Sequence, residues 1–441
     1  MQTQMNANGS DLLAQSASVS LMPNRIVPSP RDLQETGLPR SFILDLLLKH
    51  LYKSGDLDLR QLVVQLALTG AIVENVIASL REQSAIESKR GLNGELRYGL
   101  TEKGRSLAVE AITKNAYAGA APVTLEQYRA VVAAQSIRNA TFNRAQLVNA
   151  FSDAIVSDAL IDQLGPAILS GRAMILYGEP GVGKTFIAQR IRRVMNGNIY
   201  IPHALFVGNE VVRLYDPAVH EAIAESAPVA SLVASDTDAR YVLCKRPAVT
   251  VGGELTLEML ELSMDPIHRV FQSPVHLKAN NGVFLIDDLG RQRVAVEQLF
   301  NRWIVPLEER RDFMTMAGGG RFEVPLDFVL TFSTNVAPHD LADEAFLRRL
   351  GYKIRVSHLD RTGFEAIWRK ECLSRHLAPD ETVFEFLVEE LYTKHGTHML
   401  ACHPRDLLGI VGDYCRFQGE QPALSIERIK HAWNSYFVTR D

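Results

Sequence analysis

Cysteine is scarce. The chain has four in 441 residues, Cys244, Cys372, Cys402 and Cys415, and none forms a C-x-x-C pair. That excludes a disulfide framework and fits reduced thiols. A dominant charge is lacking too: 47 Lys and Arg stand against 51 Asp and Glu, a net charge of −4. Whole-chain electrostatics therefore give no argument for nucleic acid or for an anionic membrane surface. Long apolar runs are missing. The richest helical stretch, SFILDLLLKHL, is interrupted by Asp45 and Lys49 and is too short to span a bilayer. The opening stretch MQTQMNANGSDLLAQSASVS has no basic segment followed by an apolar core, so it does not read as a secretory signal. The expectation is a cytoplasmic protein. With 46% hydrophobic and 22% charged residues, the composition is that of a globular chain with room for roughly two or three domains.

What is present centres on residues 173–191, AMILYGEPGVGKTFIAQRI. Ala173 to Tyr177 reads as a buried strand. Gly178, Glu179, Pro180, Gly181, Val182, Gly183, Lys184 and Thr185 spell G-x-x-x-x-G-K-T. Phe186 then opens a helix with Ile187, Ile191 and Val194 on its apolar positions. Strand, glycine loop and helix in that order make a phosphate-binding P-loop. Three glycines allow backbone N–H groups to converge on one anion, and the helix N-terminus favours negative charge. Lys184 can reach β- and γ-phosphates, and the Thr185 hydroxyl can ligate Mg²⁺.

Hydrolysis needs more than a P-loop. GVFLIDDLG at 282–290 supplies an apolar strand ending in Asp287 and Asp288, where ligands bind in open α/β sheets. Asp287 is the expected metal-linked carboxylate and Asp288 the group beside the attacking water. FVLTFSTN at 328–335 is another strand, and its Asn335 can hold water or the γ-phosphate. DEAFLRRLGYKIRV ends a helix in Arg348 and Arg349, which read as a solvated face or as an arginine finger acting in trans.

GEPGVGKT, FLIDD, TFSTN, EAFLRR and HPRDLL, in this order, resemble the Walker A, Walker B, sensor 1, arginine-finger and sensor 2 elements of AAA+ ATPases. The resemblance runs from Thr141 to the C-terminus. It implies an α/β fold in which a parallel sheet is flanked by helices. It implies a core at 141–356 and a helical lid at 357–441. Lys184 and Thr185 would act on phosphate and Mg²⁺, Asp287 on Mg²⁺ and Asn335 as sensor 1. Arg348 or Arg349 would reach a neighbouring subunit's ATP, and Arg405 the γ-phosphate from the lid. Shared sites imply a homo-oligomeric ring, usually a hexamer. Asp288 departs from the family's usual Glu. Its shorter side chain sets the carboxylate about 1 Å further from the water, and such errors can cost about a hundredfold in rate. AGGG at 317–320 lies in a hairpin pattern, and TVGGELTLEMLEL has a Gly-Gly turn before an expected helix. With FNRWIVPLEERRDF, this order resembles the MoxR-type and related branch, whose extra hairpins often touch protein clients.

Upstream, residues 1–38 read as a mobile leader or an interaction tail, and 114–140 as a linker helix region punctuated by Gly119 and Pro122. Residues 39–113 pattern as three helices, a hairpin and a helix, resembling a winged-helix domain. That stretch carries ten Lys/Arg and nine Asp/Glu. A DNA reader should show a basic footprint. Protein docking is therefore favoured over DNA binding, although Lys89 and Arg90 lie in the wing. In the lid, His395, His398, Cys402 and His403, with Cys372 and His376, are zinc-ligand types without finger spacing. The sequence thus predicts a Mg-ATP-dependent ATPase that remodels or assembles a protein partner. An ATP-controlled DNA-binding regulator and a hydrolysis-poor nucleotide switch are the alternatives.

Overall fold

The computed structural model describes residues 27–91, 94–195, 197–223 and 237–437. Most of the expected leader, residues 1–26, lies outside the described residues.

Five parallel strands form the central sheet. Their spatial order is Ala248–Val251, Val283–Ile286, Val329–Thr334, Met174–Tyr177 and Tyr352–Arg355. Side chains of a strand alternate between faces. Met174 and Leu176 pack on one face with Leu164, Ile168, Ile187 and Ile191. Ile175 packs on the other with Phe284, Phe332 and Trp303. Both faces are covered, which is why these strands read as unbroken apolar runs. The chain is an α/β protein with a parallel sheet flanked by helices.

The helical lid follows. Arg361–Ser374 is capped by Asp360, whose side chain accepts from the Gly363 N–H. Glu381–Glu385 runs into a π-helical stretch, Phe386–Thr393. His403–Gln418 and Ile426–Tyr436 complete it. Phe364, Trp368, Phe384, Leu407 and Trp433 make its own core.

The N-terminal unit has the expected helices at Arg40–Ser54, Leu59–Leu66, Gly70–Glu82 and Glu102–Lys114. A capping box at Asp58 and a Thr101 cap start two of them. The hairpin Ile86–Arg90 with Leu96–Leu100 gains a third strand, Leu57–Asp58, too short to register as a pattern. No single helix among the described residues is long and apolar enough to cross a membrane.

Three sequence expectations need correction. Residues 27–38 are not loose: Val27 and Leu38 are buried, and the Val27 carbonyl accepts from the Asp238 N–H. The expected linker is built into the core. Val123–Thr124 pairs with Ala204–Val207, and the following helix, Leu125–Ala134, buries Tyr128, Val131 and Val132. Asp327 then accepts from Ser136 Oγ and the Ile137 N–H, both at 2.8 Å. Gly119 and Pro122 suggested a break, but the apolar stripe after them decides the outcome. Finally, the expected helix after Gly253 is only the single turn Glu258–Leu260, leading into Ser263–Asp265.

The long insert between the P-loop helix and Val283 forms a second, mixed sheet. Its order is Ser263–Asp265, Val270–Gln272, Glu210–Arg213, Ala204–Val207 and Val123–Thr124. The N-terminal unit packs on it: Phe42 meets Phe206 with ring centroids 4.7 Å apart. The expected hairpin before the Val329–Thr334 strand is present as Arg311–Thr315 against Arg321–Pro325, with Gly319 at φ 79° in its tip.

Candidate nucleotide site

The P-loop lies between the Met174–Tyr177 strand and the Lys184–Val194 helix. Gly178, Gly181 and Gly183 take φ of 149°, 85° and 96°, which residues with a Cβ avoid. Crowding matters as well: a Cβ on Gly178 would meet the Val356 carbonyl oxygen at 2.2 Å. Gly183 caps the helix without a side-chain bond, so the first N–H groups are left for an anion.

Lys184 is buried, and its Nζ donates to the Gly178 and Glu179 carbonyls at 2.9 and 2.8 Å and to Asn335 Oδ1 at 2.7 Å. Burial pushes its ammonium below the ordinary value, against the opposing pull of Asp287 and Asp288. Thr185 Oγ1 donates to Asp287 Oδ2 at 2.7 Å across 102 residues of sequence. Asp288 sits at φ 49°, and its Oδ1 accepts from Asn335 Nδ2 at 3.3 Å. Asn335 thus bridges lysine and carboxylate. The strand ends are tied too: Thr334 Oγ1 donates to the Leu289 carbonyl at 2.9 Å.

These groups open on a cavity of about 530 Å³. Gly181, Val182, Gly183, Thr185 and Phe186 line it with Lys184, Asp288 and Asn335. Arg405 reaches it from the lid, with its side chain largely exposed and its Nε 2.9 Å from Asp406 Oδ1. Several lining residues carried no sequence signal. Ile155 and Val156 form an apolar wall, and Arg291, Lys370 and Glu371 add charge. Nearby, Asp153 is held by Arg190 at 2.7 Å and Arg193 at 2.8 Å, which keep its carboxyl well below the usual range.

Arg348 and Arg349 are elsewhere. With Arg172 and Arg310 they line a second cavity of about 400 Å³, at the end of the sheet opposite the P-loop. Arg349 is committed to Glu308 at 2.6 Å. Arg348 is exposed and has no ion-pair partner among the described residues. The six lid residues of zinc-ligand type are not brought together. Cys372 is in the lid core, His403 is buried against Tyr392 Oη at 2.8 Å, and His395 Nδ1 faces the Leu391 carbonyl.

Fold and site define a P-loop nucleotide-binding α/β protein with a helical lid. The lid itself, residues 360–435, matches a family described as a domain of unknown function, DUF8689. The chain is 26% identical over 185 residues to a vesicular-fusion protein from Saccharomyces cerevisiae, a match covering 41% of this chain and 22% of that one. Solved structures match at low identity. The Thermotoga maritima RuvB Holliday junction branch migration motor matches at 14% identity and TM-score 0.35, over 63% of this chain and 67% of that one. Brucella abortus NtrX matches at 13% and 0.41, over 77% and 68%. Domain III of the Thermotoga maritima replication initiation protein DnaA matches at 14% and 0.36, over 66% and 97%.

Proposed function

We propose that the chain is a Mg-ATP-dependent AAA+ ATPase that assembles into a homo-oligomeric ring and remodels a protein partner. The observation that carries this reading is the Thr185–Asp287 contact, which sets a hydroxyl and a carboxylate side by side under the P-loop. Hard oxygens of this kind suit Mg²⁺. Bound there with ATP, the ion would neutralise charge on the β- and γ-phosphates. Backbone N–H groups of 181–185 and Lys184 would hold the phosphates, and Asp288 and Asn335 would face the attacking water. Ile155, Val156 and Ile367 would offer an apolar wall to the base, and Arg405 would report the γ-phosphate to the lid.

A finger acting in trans is supported by where the arginines lie. Arg348 and Arg349 cannot serve their own chain's site from the opposite end of the sheet. A neighbouring subunit's site is the natural target, which calls for a closed ring, with six subunits as in the family it resembles.

Protein docking by the winged-helix-like unit is favoured over DNA binding. Lys89 in the wing is paired with Asp56 at 3.3 Å and Glu87 at 3.2 Å. The exposed face of Gly70–Glu82 offers Arg81 against Glu74 and Glu82. The Arg311–Pro325 hairpin is a second candidate for client contact.

The test is steady-state ATP hydrolysis with Mg²⁺ against protein concentration. Turnover per chain should rise with concentration, and Lys184→Ala should abolish ATP binding measured by calorimetry. Unchanged binding in that variant would sink the reading.

A further inference from the structure

We propose that Glu179, His358 and His398 form a Zn²⁺ site that fastens the lid to the P-loop. The three residues come from three separate elements: the P-loop, the segment leaving the Tyr352–Arg355 strand, and the loop before the His403–Gln418 helix. One ligand atom from each lies within 4.8 Å of the others. His398 Nδ1 is 3.2 Å from both carboxylate oxygens of Glu179. The His358 and His398 rings lie nearly parallel with centroids 4.4 Å apart. Two imidazoles and one carboxylate are a known three-ligand Zn²⁺ donor set with a fourth position open to water.

The cluster is held by main chain on every side. The Leu359 N–H donates to the Met399 carbonyl at 3.1 Å, so the residues following the two histidines are bonded to each other. The Val356 N–H donates to the Tyr177 carbonyl at 2.8 Å, and the Cys402 N–H to the Gly181 carbonyl at 3.2 Å. The side chains are exposed, so an ion can enter. Their backbone anchors are fixed, so binding has side chains rather than main chain to order.

The bound ion would bridge a P-loop residue and a lid residue that are 219 positions apart. It would therefore slow lid opening and nucleotide release. That consequence rests on the ATPase reading; the site itself does not.

The experiment titrates Zn²⁺ into the nucleotide-free full chain against a chromogenic chelator. Wild type, His358→Ala, His398→Ala and His339→Ala are compared. His339 is an exposed histidine whose nearest acid is its neighbour Asp340. The expected result is about one Zn²⁺ per chain. Affinity should fall roughly 100-fold or more in His358→Ala and His398→Ala, beyond the cost of losing an outer-shell partner. It should be unchanged in His339→Ala. Equal binding by all four proteins, or none by wild type, overturns the proposal. In a second readout, Zn²⁺ should slow release of a fluorescent ATP analogue from wild type but not from His398→Ala. If the analogue fails to bind at all, the ATPase reading falls, while the Zn²⁺ titration still returns its own answer.

Discussion

Asn335 is the residue on which the candidate site turns. Its amide oxygen accepts from Lys184 and its amide nitrogen donates toward Asp288. The left-handed backbone at Asp288 aims the shorter carboxylate at that amide. Asp288→Asn keeps shape and the reach to Asn335 but removes the base. It should lower kcat by about 100-fold or more while leaving ATP affinity near wild type. Single-turnover hydrolysis beside calorimetric binding separates the two. Equal turnover would mean that another group handles the water. Lys184, Thr185, Asp287 and Asn335 were legible because each sits at a fixed offset from a glycine loop or a strand end. Asp153, Arg291 and Lys370 were not, because only tertiary closeness brings them to the cavity.

Elements show the same division. The strands of the central sheet read cleanly because both faces are buried. A helix within 114–140 was legible, but the packing of Leu125–Ala134 into the core was not, and the second sheet was hidden by its short strands. In the lid, HPRDLL was legible as a motif, but the burial of His403 was not. His403 packs against Tyr392 and Phe437, and burial pushes its imidazole down from the ordinary 6.5 to about 4. A histidine kept neutral in the fold contributes stability that is fully present above the unfolded pKa. That stability is lost as pH falls from about 6.5 through about 4. The loss amounts to up to about 3 kcal/mol. Thermal melts between pH 7.5 and 4 should show the lid weakening in this window, and His403→Asn should flatten that slope. Equal slopes would place the titrating group elsewhere.

On the scale of the whole molecule, nucleotide cavity and arginine cluster occupy opposite ends of one sheet. A single chain can use one end or the other on a given ATP, not both. The sequence could bring Arg348 and Arg349 forward only as a pair; their surroundings separate them. Arg349 is tied to Glu308 and to the Ala345 carbonyl, whereas Arg348 is exposed. Arg348→Ala should therefore reduce turnover by about 1,000-fold, the scale of an arginine finger, with ATP binding intact. Arg349→Ala should act chiefly by loosening the Glu308 contact, a loss of about 1 kcal/mol in stability. Mixing decides whether Arg348 works across subunits. Lys184→Ala chains cannot bind ATP but still present Arg348, and Arg348→Ala chains bind ATP but lack the finger. Each supplies what the other is missing, so mixed rings should regain turnover that neither variant has alone. Mixtures as inactive as their components would deny Arg348 a role on a neighbour's ATP and remove the physical reason for a ring.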